Sequence, residues 1–265
     1  MTQTTMTQTT VKLVTFGISH FCEKARWALD WHSIPYTEIG WPPGLHQLLA
    51  KRCGAKATTL PILFDGAKVI QDSSVIINWA EAMDEDPSRS LTPKANMAEA
   101  QEIERRANDV IGVHVRRLAY AETLPSCPHV VKPALFQRTA GWHQVVGNMM
   151  WPITWRIIMQ MYEIRPGAAA ESRSALEREL DWLDTKLADG RSYLVGDRFS
   201  RVDLTVASLL AGFARPEEMP VYRQMSLPES LTTDVERWRD RPIMRWVVSQ
   251  YRSNRVRKDK EPLAA

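Results

Sequence analysis

Two patterns of hydrophobic and polar positions follow one another along this chain. Residues 11–16 form a short apolar, β-prone run, and Gly17 then separates it from a stretch over residues 19–31 in which apolar side chains recur at helical spacing. A second short apolar run follows at residues 36–39. Strand, helix and strand in this order form a unit whose two strands run parallel. The pattern therefore predicts an α/β first part built on a parallel strand pair.

A hairpin and a further helix are predicted next. After a weak helix near residues 45–51, the apolar runs at residues 61–64 and 68–70 are separated by Asp65-Gly66, a dipeptide typical of hairpin turns. Ser73 is a good N-cap for the apolar, helically spaced residues that follow it. The first eighty residues are therefore predicted to be β-α-β-(α)-β-β-α.

The pattern changes at a charged, proline-containing break over residues 84–88, and beyond it we expect helices only. Helices are predicted at residues 94–122, at 132–163 with an interruption at Pro152, at 170–187, at 201–212, and from 233 or 234 to 251. The predicted domains are a disordered polar N-terminus (1–10), an α/β domain (11–84), a linker (85–95), an all-helical domain (96–251) and a basic tail (252–265).

Composition and charge narrow the class of protein. The 265 residues are 44% hydrophobic and 25% charged with a net charge of +3, which indicates a globular protein and gives no reason to expect a nucleic-acid partner. The three cysteines, Cys22, Cys53 and Cys127, lack a pair at C-x-x-C spacing, so neither disulfides nor a metal site is predicted. With no apolar run near the roughly 20 residues that span a bilayer and no signal peptide, a cytoplasmic protein without a membrane partner is expected.

Four short motifs carry the candidate chemistry: Ser19-His20-Phe21-Cys22 at the first helix start, Leu60-Pro61 before the third strand, Gln71-Asp72-Ser73 before the third helix, and the capping box Ser200 to Asp203. Together with the element order they resemble the cytosolic glutathione transferase family, in a serine-type form, over about residues 11–250. The resemblance implies a thioredoxin-like domain followed by an all-α domain. It also implies a homodimer with a role in detoxification, which uses glutathione as co-substrate and activates its thiolate for attack on a small hydrophobic electrophile.

The first motif supplies the catalytic candidates Ser19, His20 and Cys22. Ser19 stands where a strand gives way to a helix, and the resemblance implies that its hydroxyl stabilises the thiolate, whereas a plain N-cap is the alternative. Cys22 is either a small buried residue or the site of a mixed disulfide with glutathione, which would need exposure and a lowered pKa. His20 is either an acid or base near the sulfur or a solvent-facing residue at the helix start.

The remaining motifs supply binding candidates by resemblance. A cis Leu60-Pro61 bond exposes backbone that pairs with the cysteinyl part of glutathione, and Asp72 and Ser73 take its γ-glutamyl end. Lys51, Arg52 or Lys56 is expected to bind its glycine carboxylate. The hydrophobic substrate is expected between the domains, near Arg105, Tyr120, Trp151 and Trp155, although a stretch rich in Trp and Met is more often core than ligand site.

Two alternatives to a conjugating transferase stay open at this point. The same fold and motifs serve glutathione-dependent reduction, dehalogenation, ether cleavage and isomerisation. A non-catalytic binding module is the other alternative, because a fold does not fix a function.

Overall fold

A four-stranded mixed sheet forms the centre of the first domain. The computed structural model describes residues 11–255, and the expectations for residues 1–10 and 256–265 lie outside them. The strands are β1 (Val11–Thr15), β2 (Tyr36–Gly40), β3 (Ile62–Asp65) and β4 (Lys68–Gln71), in the order β2-β1-β3-β4. β1 and β2 are parallel, whereas β3 is antiparallel to both β1 and β4. The predicted parallel pair and hairpin are both present.

Helices cover the sheet and form the whole of the second domain. Those of the first domain are α1 (His20–Trp31), α2 (Leu45–Arg52) and α3 (Ser73–Met83). Those of the second are α4 (Met97–Arg106), α5 (Gly112–Thr123), α6 (Pro128–Leu135), α7 (Gly141–Met161), α8 (Ala168–Lys186), α9 (Arg201–Ala214), α10 (Pro220–Gln224), α11 (Glu229–Trp238) and α12 (Pro242–Asn254). The predicted fold class, an α/β domain followed by an all-α domain, is confirmed.

Several helix boundaries differ from the prediction, and α10 was not predicted. The helix predicted from residue 94 begins at Met97, and a π-helical segment (Ala107–Ile111) joins α4 to α5. Pro152 lies inside α7 without ending it, and the break comes earlier, before Gly141. The last predicted helix is two helices, because Pro242 starts α12 at a position where a missing N–H costs nothing.

α1 is buried on all sides, which its sequence did not indicate. Even its charged residues are covered: the Lys24 side chain is 0% exposed and lies 3.3 Å from Glu104 of α4 (Nζ to Oε1). Arg255 donates hydrogen bonds to Glu23 and Asp30 over 2.8 and 2.7 Å. Charged residues are buried where opposite charges pair with them. α1 therefore packs against the helical domain through ion pairs as well as through apolar contacts.

The main hydrophobic core runs across the domain boundary. Trp27 of α1 contacts Phe199 and Tyr251 with ring centroids 5.5 and 4.5 Å apart. α5 also approaches α1 closely, since a Cβ added at Gly112 would lie 2.6 Å from Cζ of Phe21. These contacts fix the N-terminal end of α1 against the helical domain, and a cavity opens at that junction.

Candidate active site

A cavity of about 180 Å³ lies between the two domains. The β1–α1 loop and the start of α1 form one side, the segment around α2 and the loop before Pro61 form another, and α5, α6, α7 and the chain from the end of α9 to α11 complete it. Its lining is predominantly apolar. Its polar members include Ser19, His20, His46, Gln47, Thr58, Thr59, Arg116, Tyr120, Thr154, Tyr162 and Tyr222.

Ser19 caps α1 and also lines this cavity. Its Oγ accepts a hydrogen bond from the backbone N–H of Cys22 over 3.3 Å. A hydroxyl accepts through its lone pairs and has one proton to donate besides. Capping and donation to an anion in the cavity are therefore compatible, and the two interpretations of Ser19 do not exclude each other.

His20 is buried, so the expectation of a solvent-facing side chain is wrong. Its Nε2 lies 3.0 Å from the carbonyl oxygen of Gly112. Because a carbonyl only accepts, Nε2 carries the proton and Nδ1 is the acceptor. Burial, and then the charge of Arg116, lowers the pKa of His20 to about 3. The imidazole is therefore neutral at physiological pH and borders the cavity as a polar, uncharged group.

Cys22 lies one turn inside α1 with no exposed surface, and it is not among the residues that line the cavity. Burial raises the pKa of its thiol, an effect larger than the opposing influence of Arg26. A mixed disulfide requires an accessible thiolate, and this environment supplies neither access nor charge. The geometry therefore favours the small buried residue over the redox role.

The Leu60–Pro61 peptide bond is cis, as the resemblance implied. Gln71 fastens the loop before it: Nε2 donates to the carbonyls of Ala57 and Thr59 over 2.7 and 2.9 Å, and Oε1 accepts from the Ala57 N–H over 2.9 Å. Leu60 faces the cavity while Pro61 is buried. Gln71 thus positions the edge of the cavity, a role that the sequence pattern did not reveal.

Asp72, rather than the predicted Ser73, is the N-cap of α3. Its Oδ1 accepts from the N–H groups of Ser74 and Val75 over 2.7 and 3.3 Å. Asp72 is exposed and has a φ of +79°, whereas Ser73 is buried. Sequence alone could not separate the two residues, because serine caps helices as readily as aspartate does.

Lys51 and Lys56 are both exposed and do not line the cavity. The residues of α2 that do are His46 and Gln47, which sequence reasoning missed. Nδ1 of His46 accepts from the N–H of Gly44 over 3.1 Å, and burial lowers the pKa of His46 to about 4.

Of the four predicted substrate-binding residues, only Tyr120 lines the cavity. Arg105 is exposed on α4, where its Nη2 lies 2.9 Å from Oε2 of Glu102. Trp151 and Trp155 belong to the core, since both join the cluster beneath α6 and α7. Charge and aromatic content suggested these three, but the rotation of each helix decides which side chains reach the cavity.

Arg116 and Tyr162 line the cavity near Tyr120, and neither of them was selected from the sequence. Arg116 lies on the same face of α5, four positions before Tyr120, and its guanidinium carbon lies 4.3 Å from the ring centroid of Tyr162. The four-residue spacing was the available signal, because residues at i and i+4 share a helix face.

Residues 11–255 contain no candidate for a membrane span or for a metal site. None of the described helices has the length and apolar character of a membrane span. No group of three or more His, Cys, Asp or Glu side chains in this part of the chain is placed to bind a metal ion.

Comparisons with known proteins agree with this fold. The model of the glutathione S-transferase N-terminal domain matches residues 13–88, and that of the C-terminal domain matches residues 166–242. No curated protein sequence matches the chain.

Several solved structures are similar to the whole chain. Glutathione transferase GSTFuA3 from Phanerochaete chrysosporium is 17% identical with a TM-score of 0.59, covering 94% of this chain and 98% of its own. Beta-etherase LigF from Sphingobium sp. strain SYK-6 is 18% identical with a TM-score of 0.58, covering 91% and 99%. A glutathione S-transferase from Methylobacillus flagellatus KT with GSH bound is 16% identical with a TM-score of 0.57, covering 92% and 95%. With both domain models matched in order on this fold, the chain belongs to the family of cytosolic glutathione transferases.

Proposed function

We propose that this protein is a glutathione transferase that activates the thiolate of glutathione for attack on an electrophile held between its domains. The observation that carries the proposal is the position of Ser19, which lines the cavity at the N-terminus of α1 while its capping bond leaves the hydroxyl proton to donate. A thiolate placed there meets both this donor and the positive end of the α1 dipole.

The energy required is within reach of these two groups. Lowering a thiol pKa from about 8.5 to about 6.5 takes about 2.7 kcal/mol. A hydrogen bond to a charged group contributes about 1.5 to 3 kcal/mol and a helix N-terminus about 0.3 to 1 kcal/mol. Ser19 and α1 together therefore suffice, without a metal ion.

Glutathione itself is proposed to lie along Leu60 and Pro61, with its γ-glutamyl end at Asp72 and Ser73. The cis bond at Leu60 and the exposed position of Asp72 at the start of α3 support this placement. Lys51, Arg52 or Lys56, all three exposed, would reach its glycine carboxylate. In the same proposal residues 11–84 are the glutathione-binding domain and residues 96–251 the helical domain.

Titration calorimetry with glutathione tests the proposal at its first step. We expect binding at micromolar to millimolar glutathione, weakened in an Asp72→Asn variant and unchanged in Asp197→Asn, an aspartate far along the chain from the site. Absence of heat at millimolar glutathione, in protein shown by circular dichroism to be folded, would favour the non-catalytic binding module.

Reduction, dehalogenation, ether cleavage and isomerisation remain alternatives on the same site. The similarity to a beta-etherase is a likeness of fold at 18% identity and does not select among them. Product analysis narrows the choice, because substitution of a halide or an ether leaves a thioether, reduction ends in glutathione disulfide, and isomerisation consumes no glutathione. A cytoplasmic location and a detoxifying role are proposed on the same grounds as the transferase activity.

A homodimer is part of the proposal, and the outer face of α7 is the surface that supports it. Six apolar side chains on this helix, here called the α7 stripe, recur every three or four residues and are 49% to 77% exposed: Trp142, Val145, Met149, Ile153, Ile157 and Met161. The last two, at one end of the stripe, also border the cavity. The stripe is about 28 Å long and contains no charged residue. A continuous apolar surface of this length marks an interaction site, and a second copy of the same uncharged helix face is complementary to it.

A further inference from the structure

We infer that the electrophile taken by this cavity is a small, one-ring-sized molecule that carries a carboxylate or an equivalent anionic group, and that Arg116 binds this group. The inference rests on the proposed transferase function and names its substrate class. It refines the earlier expectation of a purely hydrophobic electrophile.

The charge of the cavity is the first observation. Among the described residues that line it, Arg116 is the one with a charged side chain at neutral pH. The two lining histidines, His20 and His46, are neutral there because burial lowers their pKa values to about 3 and about 4. The cavity therefore holds one positive charge that its own wall does not compensate.

The pairing of Arg116 is the second observation. Within residues 11–255 it makes no hydrogen bond or ion pair, and its Nε is buried without a partner. Its neighbour Arg117 also has a buried Nε without a partner but differs at its other two nitrogens, since Nη1 lies 3.2 Å from a carboxylate oxygen of Glu171 and Nη2 donates to the Glu163 carbonyl over 3.2 Å. A partly buried guanidinium without an acceptor is unfavourable unless a ligand supplies one.

The guanidinium also lies against two aromatic rings. Its central carbon lies 4.3 Å from the ring centroid of Tyr162 and 5.7 Å from that of Phe21. Stacking on aromatic rings satisfies the face of the guanidinium but leaves its N–H edges without acceptors. A planar fork of N–H groups in this position matches the two oxygens of a carboxylate.

Size and polarity define the rest of the ligand. The cavity measures about 180 Å³. An apolar cavity of about 150 Å³ is known to accept benzene, so this one suits a single ring with a short substituent. The rest of the cavity wall is largely apolar and includes Ile18, Val131, Leu135 and Ile158.

The reaction can be followed with 4-chloro-3-nitrobenzoate and its uncharged counterpart 4-chloro-3-nitrobenzamide. The glutathione thiolate attacks the carbon that bears chlorine, a C–S bond forms, and chloride leaves with the electron pair of the broken C–Cl bond. The thiol proton goes to solvent beforehand, and no oxidant or reductant is needed. For each electrophile, kcat/KM is divided by the rate constant of its uncatalysed reaction with glutathione. This normalised kcat/KM removes the difference in intrinsic reactivity between the two rings.

We expect the normalised kcat/KM of the wild type to favour the benzoate about 10- to 100-fold, the range of one charge-assisted hydrogen-bonding contact. In Arg116→Gln this preference is expected to fall to near one, and in Arg116→Lys to an intermediate value, because lysine keeps the charge without the fork. Arg117→Gln, which alters the adjacent paired arginine, is expected to retain the wild-type preference.

Three outcomes would overturn the inference. The first is an unchanged preference in folded Arg116→Gln, and the second is a wild type that favours the amide. The third is that Arg116→Gln lowers kcat/KM equally for both electrophiles and raises the pH at which the bound thiolate absorbs, since that would assign Arg116 to the sulfur instead.

A binding measurement without catalysis separates this inference from the proposed function. Unreactive 3-nitrobenzoate and 3-nitrobenzamide are titrated into the wild type while tryptophan fluorescence is followed. Tighter binding of the benzoate supports the anion site even if no conjugation occurs, whereas equal affinities contradict it even if conjugation does. This comparison needs no variant, so it holds if Arg116→Gln fails to fold.

Discussion

Ser19 and Cys22 stand three residues apart but have different surroundings. Ser19 borders the cavity, whereas Cys22 has no exposed surface and a raised pKa. We therefore expect Ser19→Ala to lower conjugation about 10- to 100-fold and to raise the pH at which the bound thiolate appears by about one to two units. Absorbance of the bound thiolate against pH and steady-state kinetics give the two values.

The matched control is Cys22→Ser, which is expected to lower the free energy of unfolding while most conjugation activity remains. Full conjugation activity in Ser19→Ala would remove Ser19 from the proposed mechanism. A glutathione adduct on Cys22 in the mass spectrum of the native protein would reinstate the redox alternative.

His20 should make the protein sensitive to acid. Its pKa is about 3 in the fold and about 6.5 when unfolded, so between these values the unfolded chain binds the extra proton and stability falls as the pH decreases. At pH 5 the loss from this group is about 2 kcal/mol relative to neutral pH. His20→Asn removes the titration, so its unfolding free energy should vary less between pH 6.5 and pH 5. Urea denaturation at each pH measures the free energy of unfolding. An equal change in this free energy between pH 6.5 and pH 5 in wild type and variant would refute the prediction.

Residue types indicated part of the site, and side-chain direction decided the rest. Ser19 and Leu60 lie at the cavity as the motifs suggested, because each is tied to the end of a strand or helix whose position the pattern predicts. Arg105 and Trp151 do not, since a helix turns each side chain by 100° per residue and an error of one position redirects it. The burial of Lys24 has no local signal, because its ion-pair partner Glu104 lies 80 residues further along the chain.

Among the secondary-structure elements, α9 has the best-defined start. Oδ2 of Asp203 accepts from both the N–H and the hydroxyl of Ser200, over 2.9 and 2.7 Å, and Oδ1 accepts from the N–H of Leu194 over 2.7 Å. One carboxylate thus joins the helix start to the preceding loop. The capping box was predicted from sequence because both partners are local, whereas the bond to Leu194 was not.

We expect Asp203→Asn to be more destabilising than Ser200→Ala. Ser200→Ala removes one cap contact and should cost about 1 kcal/mol. Asp203→Asn places an NH2 group among buried donors, which leaves groups unsatisfied and should cost about 2 to 3 kcal/mol. Chemical denaturation compares both with Ser253→Ala on the exposed side of α12, which should remain within about 0.5 kcal/mol of wild type. If Ser200→Ala is more destabilising than Asp203→Asn, the Asp203 carboxylate is not the main stabilising group at the start of α9.

Helix boundaries show where local pattern stops being informative. Pro152 lies within α7 although proline usually ends or kinks a helix. Over residues 136–141 the chain turns through positive φ values at Arg138 and Gly141, and an arginine in that conformation carries no sequence signal. Strand pairing and the hairpin were predicted correctly because turn residues and apolar alternation are local features.

At the scale of the whole molecule, the α7 stripe should control association. Met149→Glu with Ile153→Glu places charges at its centre, where a second copy would bury them at a cost of several kcal/mol per site. Light scattering is expected to give a dimer for the wild type and a monomer for the double variant. As a control, Glu177→Lys changes charge on another helix and should leave the mass unchanged. A wild-type monomer at every concentration, or a double variant that still dimerises, would contradict this assignment.

The pairing of Arg255 with Glu23 and Asp30 has a consequence for the order of assembly during synthesis. These carboxylates belong to a helix translated early, but their cation is 232 and 225 residues further along the chain. While the ribosome is still making the helical domain, α1 carries two acidic groups that lack this partner. Ion pairs within the first domain, such as Arg26 with Glu38, can form early. The pairs of Glu23 and Asp30 with Arg255 can form only after residue 255 has left the exit tunnel, so they are among the last contacts to be completed.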